Sequence, residues 1–151
     1  MTLKVGAVIN LEIYTDGAYS PLRDQGGVGI VFIRNGEKIY EYSKMYKATT
    51  NNRCELSAVI IALHAISKNI DNIIIYSDSQ YVIGTITKNW KRNKNQDLWV
   101  NFDKCYKQAQ KFCNNISFTW VKGHKDNEWN NLADKLAVEA SQEYEKIKDW
   151  R

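Results

Sequence analysis

Residues 72–77 read Asn72-Ile73-Ile74-Ile75-Tyr76-Ser77, and Asp78 follows at once. A short apolar run of this kind predicts a strand covered on both faces of a sheet. The segments on either side then decide the fold. Upstream, Leu56, Val59, Ile60, Leu63 and Ile66 recur at helical spacing, with Ala58, Ala62 and Ala65 small enough for close packing. Asn51 or Asn52 is the expected cap of that helix. Further upstream, Leu11, Ile13 and Thr15 alternate with polar neighbours, which predicts a strand over Val8–Thr15. Gly26-Gly27 precedes a second strand, Val28–Arg34, and Asn35-Gly36 is a type I′ hairpin signal leading into a third, Lys38–Lys47. Downstream come a short helix from about Gln80, a basic connection, and a longer helix from about Asp97. On that longer helix Leu98, Phe102, Cys105, Tyr106 and Ala109 share one face. A last strand, Ile116–Val121, and a last helix, Glu128–Ile147, complete the order, with Leu132, Leu136 and Ala140 inward. The reading is an α/β fold: a five-stranded mixed sheet, three antiparallel plus two parallel strands, covered by helices.

The chain has 151 residues, 44% hydrophobic and 25% charged. This suits one globular domain, 1–151, able to bury a core without disulfides. No apolar run reaches the roughly 18 residues of a membrane span. Three cysteines (Cys54, Cys105, Cys113) without a CxxC spacing point away from a disulfide framework and a zinc knuckle, and toward a reducing, intracellular (cytoplasmic) location. The net charge is only +4, but Lys88–Lys111 holds seven basic and two acidic residues, a local excess of five. With Trp90 and Trp99 in the same stretch, this segment suits either a polyanion with stackable bases or sugars, or a solvated helix face over two core tryptophans.

Four carboxylates fall at element ends. Asp16 closes the first strand in YTDGAYS, and Glu55 lies in the first helical turn in TTNNRCEL. Asp78 closes the buried strand in IIIYSDSQY, and Asp134 lies early in the last helix in NNLADKLA. Taken singly, each has an ordinary structural explanation: a turn residue, a helix cap, or an acidic group near a helix N-terminus. Taken together, carboxylates at the carboxyl ends of neighbouring strands project into one crevice. Like charges gathered there raise one another's pKa, and divalent cations relieve the repulsion. An all-oxygen ligand set favours Mg²⁺ or Mn²⁺ over zinc. Two such ions, roughly 4 Å apart, can clamp the attacking and leaving oxygens of a phosphodiester displacement. The chain offers no evident nucleophilic Ser or Cys motif and no Walker loop, so metal-assisted hydrolysis fits the side chains available.

The motifs TDGAY with the Gly26-Gly27-x-Gly29 run, TTNNRCEL, DSQYV, and WVKGH followed by Asp134 resemble those of type 1 ribonucleases H, in the same order from about Ile13 to Ala140. That resemblance implies an endonuclease that cuts the RNA strand of RNA–DNA hybrids and leaves 5′-phosphate and 3′-hydroxyl ends. It implies that Asp16, Glu55, Asp78 and Asp134 hold two Mg²⁺ ions, with Mn²⁺ able to substitute, and that His124 assists proton transfer or product release. It places Asn51, Gln80 and Glu55 at the hybrid's minor groove, where the RNA 2′-hydroxyls lie, and Asn52 near the DNA strand. Thr50 and Asn130 match a pocket gripping a DNA phosphate, and Trp90 matches a tryptophan packed on a DNA sugar. Lys91 and Arg92 are the further candidates for substrate contact. The expected partner is the hybrid alone, with no membrane, no small-molecule cofactor and a monomeric chain. Helix capping remains the alternative role for Asn51 and Asn52, and a turn residue after Gly123 the alternative for His124.

The pattern departs from many members in one region. Only 20 residues separate Asp78 from Trp99, too few for the long basic helix, or handle, that those members carry. Ala48 stands where some carry a basic residue in the phosphate pocket. Two other readings stay open here: a catalytically inactive hybrid-binding module, and a DNA-cutting nuclease of the same superfamily.

Overall fold

The computed structural model describes residues 7–122 and 126–143. The chain runs β1 (Asn10–Ser20), β2 (Gln25–Arg34), β3 (Glu37–Lys47), α1 (Asn51–His64), β4 (Asn72–Ser77), α2 (Gln80–Thr87), α3 (Gln96–Ala109), β5 (Ile116–Trp120) and α4 (Glu128–Ser141). The sheet order is β3-β2-β1-β4-β5. β1–β2 and β2–β3 pair antiparallel, whereas β1–β4 and β4–β5 pair parallel. This is the expected mixed sheet.

Asn35 and Gly36 both take positive φ, 48° and 85°, as a type I′ turn requires. α1 and α3 cover one face of the sheet, where Ile13, Val28, Ile30, Leu56, Val59, Leu63, Ile73, Ile75 and Phe102 form the main core. α4 covers the other face, with Ala133 packed beside Tyr14, Val31 and Ile33. β4 is therefore covered on both sides but unequally: Ile73 and Ile75 are fully buried, while Ile74 and Tyr76 are only partly so.

Several boundaries differ from expectation, each for a local reason. β1 runs on past Thr15 to Ser20, because β2 begins at Gln25 and keeps pairing with it after β4 has ended. β2 begins three residues early because Gly26 and Gly27 sit within the strand rather than before it. At Gly29 a Cβ would lie 2.2 Å from the Ala133 carbonyl oxygen and at Gly27 2.3 Å from that of Ala137, so these two glycines let α4 rest directly on the sheet. α1 is capped by Thr50, whose Oγ1 accepts from Arg53 N at 3.2 Å, and not by either asparagine. α2 is capped by Ser79 rather than Asp78. α4 closes at Ser141, short of the expected Ile147; residues 144–151 lie outside the described residues. Its inward face is Ala133, Ala137 and Ala140, with Leu132 and Leu136 only partly covered. Trp99 is 1% exposed and belongs to the core, which removes it from the basic binding patch.

Candidate active site

Thr15 and Ser77 form the last parallel rung between β1 and β4. Asp16 and Asp78 are the next residue on each strand, so the end of the pairing sets them side by side. Asp16 does not close β1 as expected; it sits mid-strand, at the point where the β4 partner stops. Glu55 arrives from α1 on one face and Asp134 from α4 on the other. Asp134 is exposed, interacts with Asp16 and stands outside the tight group of three carboxylates formed by Asp16, Glu55 and Asp78. Glu55 and Asp134 both lie in the second turn of their helices rather than the first, so neither is explained by a helix N-terminus. Two glycines make their approach possible. At Gly17 a Cβ would lie 2.3 Å from Glu55 N, so α1 meets β1 backbone to backbone there. Gly29, the register partner of Asp16, admits α4 at Ala133, the residue before Asp134.

Asp16, Glu55 and Asp78 each place a carboxylate oxygen within 4.8 Å of the other two. Asp16 is 3% exposed and Glu55 9%. Burial first, and then the Asp78 charge, a hydrogen bond with Asp134 and the Glu55 charge, push the Asp16 carboxyl up to about 10. Burial likewise raises Glu55 to about 7, opposed by a hydrogen bond from Ser79 and reinforced by Asp78. Asp16 Oδ1 accepts from Gly17 N at 2.9 Å. Asp78 Oδ1 is buried and has no hydrogen-bond partner. A buried carboxylate oxygen without a donor is costly, and its residue stands with two more carboxylates. The cluster therefore has the composition of a hard-cation site: all oxygen, net acidic, and incomplete on its own.

The other expected site residues scatter around this corner. Asn51 and Asn52 are exposed on the first turn of α1, and Gln80 is exposed at the start of α2. Thr50 caps the helix by accepting from Arg53 N, which leaves its hydroxyl hydrogen able to donate. Asn130 is buried in the first turn of α4. Trp90 is 46% exposed and lies flat against Gly84, where a Cβ would meet its ring at 2.3 Å. With Gln80, Lys88 and Trp120 it lines a cleft of about 310 Å³ beside the carboxylates. Arg92 is engaged elsewhere: it donates to Asp103 at 2.7 Å and lies over the Trp99 ring, 4.7 Å from its centroid. Lys91 is exposed. His124 lies outside the described residues.

Three further residues contribute at this corner that no sequence pattern singles out. Ser79 caps α2 and hydrogen-bonds Glu55, and the serine after Asp78 was its only sequence signal. Trp120 donates its Nε1 to the Asp78 carbonyl at 3.1 Å, tying β5 to the site. Arg53 reaches across to the start of α3.

The ribonuclease H family profile matches residues 9–142, nearly all of the described chain. The chain belongs to the ribonuclease H family, type 1. A Ribonuclease H from Trichodesmium erythraeum is 42% identical, over 87% of this chain and 88% of that protein. A Ribonuclease HI from Haemophilus influenzae is 39% identical, over 87% and 90%. Among solved structures, LC11-RNase H1 in complex with RNA/DNA hybrid superposes with a TM-score of 0.71 at 26% identity, covering 86% of this chain and 95% of that one. The chain is thus an enzyme, a hydrolytic endonuclease of the ribonuclease H class. Between α2 and α3, residues 88–95 form no helix, so this ribonuclease H lacks the handle.

Proposed function

We propose that this ribonuclease H cuts the RNA strand of RNA–DNA hybrids at the Asp16–Glu55–Asp78–Asp134 corner, leaving 5′-phosphate and 3′-hydroxyl ends. The observation that carries the reading is the buried, partnerless Asp78 oxygen within a cluster of three converging carboxylates. Asp16, Glu55, Asp78 and Asp134 would hold two Mg²⁺ ions, with Mn²⁺ substituting. Such ions activate water and stabilise charge on the phosphate.

The chain's own residues supply position and selectivity. Gly17 and Gly29 fix the carboxylates on packed backbone, where little reorganisation is possible during turnover. Ser79 orients Glu55. Exposed Asn51 and Gln80 face the minor groove, where the 2′-hydroxyl distinguishes RNA from DNA, and exposed Asn52 faces the DNA strand. Trp90, in its cleft, takes the DNA sugar, and Thr50 with Asn130 takes a DNA phosphate. Lys91 and Arg92 flank that path, Lys91 with the freer side chain. His124 moves a proton or assists release. The protein works as a single-domain monomer in the cell interior, a setting in keeping with three buried free thiols. Among the described residues, no helix is long and apolar enough to cross a membrane.

One experiment tests this: a labelled hybrid, the matching DNA duplex and the matching RNA duplex, each incubated with Mg²⁺ and with EDTA. Cleavage confined to the hybrid's RNA strand and abolished by EDTA is expected. Binding without cleavage would mean an inactive module, and cleavage of the DNA duplex a different nuclease.

A further inference from the structure

Residues 88–95 hold no regular structure, yet the end that enters α3 is fastened by side-chain bonds. Asn95 takes a left-handed conformation, φ 59° and ψ 35°, at the cap position of α3, but its side chain makes no capping bond. It is used instead as a joint. Its Nδ2 donates to the Tyr81 hydroxyl at 3.0 Å, and its Oδ1 accepts from Arg53 Nη1 at 3.3 Å. Arg53 also grips Asp97 with both arms of its fork, at 3.0 and 2.7 Å. Tyr81 accepts a second bond from Trp99 Nε1 at 3.0 Å. α1, α2 and α3 therefore meet in one net whose centre is the connection.

Stability alone does not account for Arg53. Its side chain is 31% exposed and that of Asp97 65%, and ion pairs so open to water contribute about 0–1 kcal/mol. A planar, two-pronged pairing does, however, fix orientation, which a lysine in its place would not. Arg53 also sits on the same helical turn as exposed Asn51 and Asn52, and the segment it holds carries Trp90 and Lys91.

We propose that Arg53 is a positioning residue: its forked pairing with Asp97 and Asn95 fixes residues 88–95 against α1, so that Asn51, Asn52, Trp90 and Lys91 form one preorganised surface. This rests on the hybrid-cutting reading above. The segment that in other members is replaced by a longer handle is here held by side-chain bonds instead of by a helix of its own. Preorganisation of this kind lowers the entropic cost of binding and leaves the reacting groups untouched.

The test uses the full chain with Arg53→Gln, Arg53→Lys, Asp97→Asn, and the Arg53→Gln/Asp97→Asn double variant. Amide exchange of residues 88–96 without substrate is read beside KM and kcat on the hybrid. Each single variant should exchange faster in this segment by about tenfold and raise KM five- to tenfold, with kcat within twofold. The double variant should be no worse than the singles, because the same link is cut once. Arg53→Lys should resemble Arg53→Gln, since it keeps the charge and loses the fork. Faster exchange with unchanged KM would overturn the proposal, as would lost kcat at unchanged KM, which would place the effect on nearby Glu55. Wild type that neither binds nor cuts the hybrid would instead sink the functional reading, and the purpose assigned to Arg53 with it.

Discussion

The carboxylate corner and the 88–95 segment lie side by side and are held by opposite means. At the corner, backbone packing forces like charges together. Gly17 and Gly29 remove every side-chain cushion, and the last parallel rung sets Asp16 against Asp78. Nothing among the described side chains neutralises the result, and one oxygen has no partner. In the connection, the backbone is irregular and contains two left-handed asparagines, Asn89 and Asn95. There, opposite charges and hydrogen bonds satisfy the strained segment from three helices. The corner is rigid but electrostatically unsatisfied, so a cation should change its stability. The connection is satisfied but locally weak, so cutting one bond should change its order.

The largest effect that could break this contrast comes from removing a carboxylate. Asp16→Asn or Asp78→Asn should lower kcat on the hybrid by at least about 10³-fold, since each removes a charge placed to hold an ion. The same substitutions should leave the metal-free melting temperature unchanged or higher, because they relieve repulsion. Near-normal turnover by Asp78→Asn, or a marked loss of metal-free stability, would mean that the corner is a structural cluster.

The pH dependence of metal-free stability sharpens the same point. The folded state holds protons on Asp16 and Glu55 that the unfolded chain releases near their ordinary values of 3.8 and 4.5. This contribution is fully present below those values and is lost as pH rises toward about 7 for Glu55 and about 10 for Asp16. One such group costs about 1.4 kcal/mol for each pH unit within its window. In EDTA, the melting temperature should therefore fall by about 5 °C or more between pH 5 and pH 8. Millimolar Mg²⁺ should flatten the slope by binding the ionised folded state. Identical curves with and without Mg²⁺ at pH 8 would show that the cluster does not gather ions before substrate arrives.

The two regions also differed in what the sequence made legible. The corner was readable because its logic is local: a strand that ends in Asp78, a strand that carries Asp16, and glycines where backbone must approach backbone. The sheet followed from Asn35-Gly36 and the apolar β4 for the same reason. The connection shows in the sequence mainly as charge, and charge does not say what a side chain grips. Arg92 lies on Trp99 and holds Asp103, and Trp99 is core. Arg53 and Asp97 are 44 residues apart, a separation at which no periodic pattern signals contact. Thr50, rather than Asn51 or Asn52, won the helix cap because it immediately precedes the first helical residue, a distinction of one position that propensity cannot make.

Charge in the connection can still be tested for binding. Arg92 is tied to Asp103, whereas Lys91 and Lys94 are exposed and have no ion pair among the described residues. Lys91→Ala/Lys94→Ala should raise KM at physiological salt and make the slope of log affinity against log salt shallower by about one per lost phosphate contact. Arg92→Ala should flatten the salt slope less than the loss of either lysine. Equal KM values at two salt concentrations for wild type and the lysine variant would show that the segment is solvated and binds nothing.

The smallest effect concerns strain that no side chain supports. Asn95 tolerates its left-handed backbone because asparagine accepts that region and because Arg53 and Tyr81 hold its side chain. Ala48, at the end of β3 beside the helix cap, takes φ 51° with only a methyl group to offer. A non-glycine residue in that region costs about 1–2 kcal/mol, whereas glycine occupies it freely. Glycine also gives the unfolded chain more freedom, which takes back about 0.4–1 kcal/mol. The net for Ala48→Gly is a gain of about 0.5 kcal/mol, or roughly 1–2 °C in melting temperature for a domain of this size. Asn95→Gly relieves the same backbone strain but removes the joint to Arg53 and Tyr81, so it should lose stability rather than gain it. A gain at both positions would show that the Asn95 side-chain bonds contribute nothing. A loss at Ala48 would show that its methyl packs better than its exposure suggests.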